Sequence, residues 1–197
     1  FRGEMTLRDA LIHSRNIPAV LLVEEVGWPA MQRLIRQAGL SRASHLPSAS
    51  LGGFEVTPME MATAYTVFPG GGSRRDPLLV RAVRDGEGRE LIRHEAQKTP
   101  IASARAAALV TGMLEGVITD GTGRKAAQYG VRGPTGGKTG TTSSYRDAWF
   151  VGFTPEWVVV VWVGHDRGGA LGLTGGQAAL PIWSRIVSAF GPATGAF

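Results

Sequence analysis

The sequence predicts an α+β fold in which an antiparallel sheet is flanked by helices. Helical patterns fill much of the first part of the chain, whereas two β-rich runs, 147–153 and 157–164, follow a glycine-rich stretch. No strand–helix–strand alternation requires a parallel sheet. We expect one domain over 1–197, with a helical part over about 1–125 and sheet strands and a closing helix over about 130–190.

Caps, prolines and glycines indicate where the helices begin and end. Thr57-Pro58-Met59-Glu60 combines a capping hydroxyl, a proline in the first turn and a glutamate at the third position. Thr6 with Asp9, and Ser103, suit the same role. Helices are therefore predicted over 6–13, Ile17 to Gly27, Trp28 to Gly39, Thr57 to about Phe68, and Ser103 to Ile118. The closing helix after Pro181 should pack on the sheet and carry Ile182, Ile186, Val187 and Phe190 on one face.

Strands are predicted from β-branched and aromatic runs between turn residues. Residues 78–83 and 89–93 flank Asp85-Gly86-Glu87-Gly88, which is typical of a hairpin. Three C-terminal strands, near 138–142, 147–153 and 157–164, should form one antiparallel sheet. One edge of that sheet would stay open, which favours aggregation or pairing with another copy.

The composition excludes several classes of protein. The chain has no cysteine, and its four histidines lack metal-ligand spacing. The net charge is +5, but the arginines are spread out, which favours a solvated surface, or one facing an anionic membrane or wall polymer, over nucleic-acid binding. No apolar run reaches the roughly 18 residues of a membrane span, and Phe1 to Asp9 does not resemble a signal peptide.

Lys138-Thr139-Gly140-Thr141 is a motif whose side chains could take part in binding or catalysis. It is not a P-loop, because the glycine spacing before Gly137 fails and a β-rich run, not a helix, follows. The alternative is a strand at the edge of a cleft, where Gly140 keeps one wall low so that a substrate can lie against the backbone. Lys138 would then offer a fixed positive charge, and the two threonine hydroxyls would suit a carboxylate.

Ser14-Arg15-Asn16 has two interpretations. Ser and Asn suit helix ends, so the tripeptide is compatible with simple capping. However, Asn16 is the only asparagine in the chain. The combination of Ser-x-Asn with a distant Lys-Thr-Gly is more informative than either motif alone.

That combination resembles two of the three motifs of the serine transpeptidase and β-lactamase family. Longer stretches are similar to the bifunctional, class A penicillin-binding proteins, and they cover Thr6 to Ala19, 51–62, 121–123, 137–152, 161–164 and 180–183. The third motif, Ser-x-x-Lys with the nucleophile, is absent, because Glu95, Thr122 and Thr135 stand at that spacing before the three lysines. The family places it upstream of Phe1, so we expect this chain to be a piece of a longer protein.

The resemblance implies a β-lactamase/transpeptidase-like fold that lacks its N-terminal strands and nucleophile helix. It implies a peptidoglycan D,D-transpeptidase in the full-length protein, with stem peptides as substrates and β-lactam antibiotics as inhibitors. It also implies an upstream glycosyltransferase domain and membrane anchor, and a location on the periplasmic face of the bacterial inner membrane. No metal, organic cofactor or nucleic acid is expected, and the isolated chain is expected to be inactive.

The resemblance also implies roles for particular residues. Ser14 would relay a proton to the leaving amine, Asn16 would bind the substrate amide, and Lys138 would bias the Ser14 proton and attract the substrate carboxylate. Thr139 and Thr141 would bind that carboxylate, and the N–H of Thr141 would help form the oxyanion hole. Two alternatives remain open at this point: a related D,D-carboxypeptidase or β-lactamase, and a degenerate domain used only for binding.

One turn and one charged pair are expected to have structural roles only. The Gly121-Thr122-Gly123 turn is expected to stop the preceding helix, although in this family such a loop lies near the cleft. Arg146 and Asp147 are expected to form a surface ion pair.

Overall fold

The computed structural model describes residues 3–40, 42 and 47–197. Its helices are α1 (Leu7–Ile12), α2 (Asn16–Val26), α3 (Trp28–Gln37), α4 (Pro58–Tyr65), α5 (Ala104–Thr119) and α6 (Ala179–Ala189). Its strands are β1 (Ser73–Arg75), β2 (Ala82–Arg84), β3 (Glu90–Arg93), β4 (Lys98–Pro100), β5 (Gly136–Thr141), β6 (Asp147–Phe153) and β7 (Val158–Gly164). Within these ranges, none of the helices combines the length and the hydrophobicity that a membrane span requires.

The helix starts form as the capping residues predict. Thr57 accepts a hydrogen bond from the N–H of Glu60, whose carboxylate accepts one from the N–H of Thr57 at 2.7 Å, which completes a capping box. Thr6 accepts from the N–H of Asp9 in α1, and Ser103 accepts from the N–H of Ala106 in α5. Each bond satisfies a backbone donor that has no partner inside its helix.

The C-terminal strands form one antiparallel sheet in the order β5-β6-β7. Gly136 pairs with Phe153 and Thr141 with Ala148, while Asp147 pairs with Gly164 at the far edge. The α+β class and the three-stranded sheet are therefore confirmed. Both β5 and β7 present an outer edge that no described strand covers.

Helices pack on both faces of this sheet. Successive side chains of β6 point to opposite faces, so Phe150 and Phe153 are buried on different sides. Phe150 packs against Trp183 of α6, with ring centroids 4.8 Å apart, and Phe153 stacks on Phe68, which follows α4, at 5.5 Å. α5 lies against β5, and this contact brings the turn after α5 to the Lys-Thr-Gly strand.

Of the four residues predicted for the packed face of the closing helix, only Val187 is buried. α6 buries Ala179, Leu180, Trp183, Ser184 and Val187, whereas Ile182, Ile186 and Phe190 are exposed. The Trp183 ring lies where a side chain at Gly152 would otherwise stand, so the large indole enters the sheet face through a gap left by a glycine. The spacing of apolar residues within α6 cannot predict this fit, because it depends on a glycine in β6.

The small strands were predicted only in part. The hairpin around 85–88 is present, but its first strand covers Ala82–Arg84 instead of 78–83. A second pair, β1 with β4, was missed because each strand has only three residues. Pairings this short carry little periodic signal.

Candidate active site

Ser14 and Lys138 meet across the gap between the end of α1 and strand β5. Lys138 Nζ donates a hydrogen bond to Ser14 Oγ at 2.7 Å and a second to its neighbour's carbonyl, Thr139 O, at 3.0 Å. The two residues are 124 positions apart in the chain, so only the tertiary fold brings them together.

Ser14 occupies an unusual backbone conformation. Its φ is +53°, in the left-handed region, where a residue with a β-carbon is disfavoured by roughly 1–2 kcal/mol. The N–H of Ser14 bonds Leu11 O at 3.1 Å, and the N–H of Arg15 bonds Ala10 O at 2.8 Å. These bonds close α1 and turn the exposed Ser14 hydroxyl toward β5.

Asn16 lies two residues beyond Ser14 and is the first residue of α2. Its side chain is exposed and makes no hydrogen bond within the described part of the chain. The structure therefore brings Asn16 near the Ser14 turn but shows no partner for its amide.

Burial changes the proton affinity of Lys138. Desolvation disfavours the charged form of its ammonium and lowers the pKa of Lys138 from 10.5 to about 8. The lysine thus stays mainly charged at neutral pH, yet it can exchange a proton more easily than a solvated lysine.

Thr139, Gly140 and Thr141 line the open edge of β5. Thr139 Oγ1 lies 2.8 Å from Thr122 Oγ1, and Thr141 Oγ1 accepts a hydrogen bond from Gly175 N at 3.0 Å. A β-carbon at Gly140 would lie 3.1 Å from Cβ of Trp149, so a larger residue would crowd β6. All three residues occupy the predicted strand.

The site is open to solvent. Ser14, Asn16 and Thr141 are exposed, and Lys138 is half-buried. A surface pocket of about 580 Å³ contains none of them, and it is lined by Arg81, Ala82, Arg84 and Arg93 on the β2–β3 hairpin. No group of three or more acidic or histidine residues among the described ones could hold a metal ion.

Comparison with known proteins identifies the family of this arrangement. Residues 1–188 match the penicillin binding protein transpeptidase domain. The chain belongs to this family. It is 37% identical over 183 residues to penicillin-binding protein 1A of Aquifex aeolicus, a match that covers 92% of this chain and 25% of that protein. The chain therefore spans about a quarter of that relative's length, and the predicted resemblance to class A penicillin-binding proteins is confirmed.

Solved structures give the same fold. Penicillin-binding protein 1A of Haemophilus influenzae superimposes with a TM-score of 0.84 at 24% identity, covering 98% of this chain and 36% of that one. The penicillin G acyl-enzyme complex of penicillin-binding protein A from Mycobacterium tuberculosis has a TM-score of 0.72 at 26% identity, covering 95% and 50%. The transpeptidase fold thus accounts for nearly the whole chain.

Sequence reasoning missed two supports of this transpeptidase-family site. The Gly121-Thr122-Gly123 turn ends α5 as predicted, but Thr122 also bonds the hydroxyl of Thr139. Gly175 reaches Thr141 from a loop in which no pattern indicated a role. The only available signal was the position of the Gly-Thr-Gly turn in the related family.

Asp147 was assigned the wrong partner. Its carboxylate accepts a hydrogen bond from Thr142 Oγ1 and another from Trp162 Nε1, both at 2.9 Å. The N–H of Asp147 bonds Thr142 Oγ1 in return, and no ion pair with Arg146 forms within the described residues. Asp147 therefore closes the loop from β5 to β6 and supplies the acceptor for Trp162 Nε1.

Proposed function

We propose that this chain is the C-terminal section of a peptidoglycan D,D-transpeptidase domain that cross-links stem peptides by serine acyl transfer in the full-length protein. The observation that carries the proposal is the 2.7 Å hydrogen bond between Ser14 Oγ and Lys138 Nζ, on the strand that also carries Thr139 and Thr141. Family membership gives the reaction class, and this contact supports the assignment of the proton-transfer residues.

The reaction is a two-step acyl transfer. A serine nucleophile supplied by an upstream Ser-x-x-Lys segment attacks the carbonyl of the penultimate D-Ala. The serine oxygen–carbon bond forms, the bond to the terminal D-Ala nitrogen breaks, and that amine leaves with a proton. An amine from a neighbouring stem then attacks the acyl ester, forms the cross-link and releases the serine.

Ser14 and Lys138 handle the proton in this scheme. Ser14 would pass a proton to the leaving amine, and Lys138 would hold the Ser14 oxygen in place and tune its proton affinity. The lowered pKa of Lys138 suits this exchange because proton transfer is most efficient when the pKa lies near the working pH.

The remaining site residues would position the substrate. Asn16, whose amide is exposed and without a hydrogen bond within the described chain, would bind the peptide amide of the substrate. Thr139 and Thr141 would bind the terminal carboxylate, and the N–H of Thr141 would donate to the developing oxyanion. Gly140 would let the substrate lie along the edge of β5.

β-Lactam antibiotics would acylate the same site as substrate mimics. The full-length protein would be anchored in the bacterial inner membrane, face the periplasm and carry a glycosyltransferase domain upstream. These properties follow from the likeness to penicillin-binding protein 1A, of which this chain spans about a quarter.

Product analysis tests the proposal. Purified full-length protein is incubated with pentapeptide stem substrates and an acceptor amine, and the products are separated by liquid chromatography with mass detection. A new cross-linked peptide together with released D-Ala supports the transpeptidase. Release of D-Ala with only a tetrapeptide product would indicate a carboxypeptidase, and no reaction would indicate a binding module.

The isolated 197-residue chain should be inactive, because no Ser-x-x-Lys occurs in it. A fluorescent penicillin tests this directly by gel electrophoresis after denaturation. Covalent labelling of the isolated chain would contradict the assignment of the nucleophile to an upstream segment.

The open edge of β7 should promote self-association of the isolated chain. β7 carries no charged residue, and the neighbouring Trp157 and Phe190 are 52% and 53% exposed, with ring centroids 4.9 Å apart. An uncharged strand edge of this kind can pair with a second copy. Sedimentation analysis should show a dimer that Val160→Lys weakens and that the control Val80→Lys leaves intact. A monomeric wild-type chain would contradict this.

A further inference from the structure

The turn after α5 connects the Ser14 turn to the Lys-Thr-Gly strand. Thr122 N donates a hydrogen bond to Ile12 O at 3.3 Å, and Thr122 Oγ1 lies 2.8 Å from Thr139 Oγ1. Ile12 is buried in α1, two residues before Ser14. Thr122 therefore touches both elements that Lys138 joins, and these three hydrogen bonds close a ring together with the short backbone segments 12–14 and 138–139.

A glycine fixes the position of Thr122 against α1. A β-carbon at Gly121 would overlap Ile12 O and lie 2.8 Å from Ile12 Cγ2 and 2.9 Å from Val117 Cα. The backbone of the turn thus packs directly on α1, and the Gly123 N–H bonds Val117 O at 2.9 Å on the other side. The backbone of Thr122 is held from both sides, which places its hydroxyl within hydrogen-bond distance of Thr139.

The two strand threonines differ in how their hydroxyl protons are constrained. A threonine hydroxyl donates one proton and accepts through its lone pairs. Thr141 accepts from Gly175 N, which can only donate, so the proton of Thr141 remains available to a substrate carboxylate. Between Thr139 and Thr122, by contrast, either oxygen could be the donor.

Only one of the two arrangements is compatible with anion binding. If Thr139 donated to Thr122, it would present lone pairs to the carboxylate and repel it. If Thr122 donates to Thr139, the proton of Thr139 points to the carboxylate, and both strand threonines become donors. A carboxylate accepts hydrogen bonds only, so its binding selects the second arrangement.

We propose that Thr122 is a positioning residue that donates its hydroxyl proton to Thr139 and thereby keeps the Thr139 proton for the substrate carboxylate. This inference rests on the proposed transpeptidase function. Thr122 acts through Thr139 and need not touch the substrate itself.

The test compares Thr122→Val with Thr122→Ser in the full-length protein. The readout is the second-order rate of acylation by a fluorescent penicillin with a free carboxylate and by its methyl ester. Valine keeps the shape of threonine but removes the donor, and the rate with the free acid should fall about 5–30-fold, as for a lost hydrogen bond to a charged group. The methyl ester should lose much less, and Thr122→Ser should restore the preference for the free acid.

A double-mutant cycle with Thr139→Val separates action through Thr139 from direct contact. If Thr122 acts through Thr139, the double variant is no slower than Thr139→Val alone. Thr119→Val is the matched control, because among the described residues the Thr119 hydroxyl bonds Asp120 alone, at 2.7 Å, at the end of α5. It should change neither rate.

Each result decides the question. An unchanged ratio between free acid and ester in Thr122→Val, with normal labelling of wild type, overturns the inference and leaves the proposed function in place. The inference is also overturned if the rate of the double variant falls by the product of the two single losses, since Thr122 would then act independently of Thr139. If wild-type protein is not labelled at all, the proposed function fails and this inference fails with it.

Discussion

Lys138 and Ser14 join two parts of the chain that lie 124 positions apart in the sequence. The hydrogen bond from Lys138 Nζ to Ser14 Oγ measures 2.7 Å, and it links the turn after α1 to the first strand of the C-terminal sheet. The chemical assignment depends on this contact, since each residue alone has an ordinary structural interpretation.

The first prediction concerns the titration of Lys138. Its pKa is about 8 in the folded chain and 10.5 when solvated, so the unfolded state binds more protons between these values. The contribution of Lys138 to stability therefore rises as pH increases across that window. NMR of the lysine side chains, assigned with Lys138→Met, measures the pKa directly. A value near 10.5 would contradict the burial of this ammonium.

The same shift predicts how stability changes with pH in the variant. As the pH rises from about 8 to about 10, the free energy of unfolding of wild type should increase relative to that of Lys138→Met, because methionine has no proton to lose. Urea denaturation at the two ends of this range measures the difference. Parallel pH profiles for the two proteins would count against the shift.

Alanine substitutions at Gly121 and Gly112 test the close packing of the turn after α5, with Gly112 as the control. Gly121→Ala should destabilise the chain by about 1–3 kcal/mol, because the added methyl overlaps Ile12 O and crowds Val117 Cα. Gly112 lies within α5 with no atom near its absent β-carbon. Gly112→Ala should therefore stabilise the chain by about 0.5–1 kcal/mol. Urea denaturation tests both, and equal effects of the same sign would refute the packing described for Gly121.

Asp147→Asn should weaken the loop that ends β5. The two carboxylate oxygens of Asp147 accept from Thr142 Oγ1 and Trp162 Nε1, whereas asparagine has a single acceptor oxygen, so one of these donors loses its acceptor. We expect a loss of about 1–3 kcal/mol in the free energy of unfolding. Asp166→Asn is the control on an exposed side chain and should change stability by less than about 0.5 kcal/mol. Similar losses in both variants would show that Asp147 has no special role.

Much of the fold could be predicted because local chemistry determines it. Thr57 with Glu60, and Ser103, set helix starts through backbone hydrogen bonds that depend on neighbouring residues only. The β-rich runs before and after Thr154 likewise form β6 and β7. These features need no knowledge of the tertiary structure.

Features that depend on tertiary contacts could not be predicted in the same way. The buried face of α6 is decided by the space that Gly152 leaves for Trp183, and the partner of Asp147 is decided by the cross-strand position of Trp162. The motifs indicated Ser14 and Lys138 only through the family resemblance. Thr122 and Gly175 became visible only when the fold brought them to the strand.

The role of the Ser14–Lys138 pair is tested by the rate at which a fluorescent penicillin acylates the full-length protein and its Ser14→Ala variant. Wild type should form a covalent adduct, and the variant should form it at least about 100-fold more slowly, as expected when a proton-transfer group is removed. The exposed Ser144→Ala, which lies outside the Lys138 contact, serves as the control and should react like wild type. Equal acylation rates in wild type and Ser14→Ala would contradict the assignment of the Ser14–Lys138 pair to catalysis.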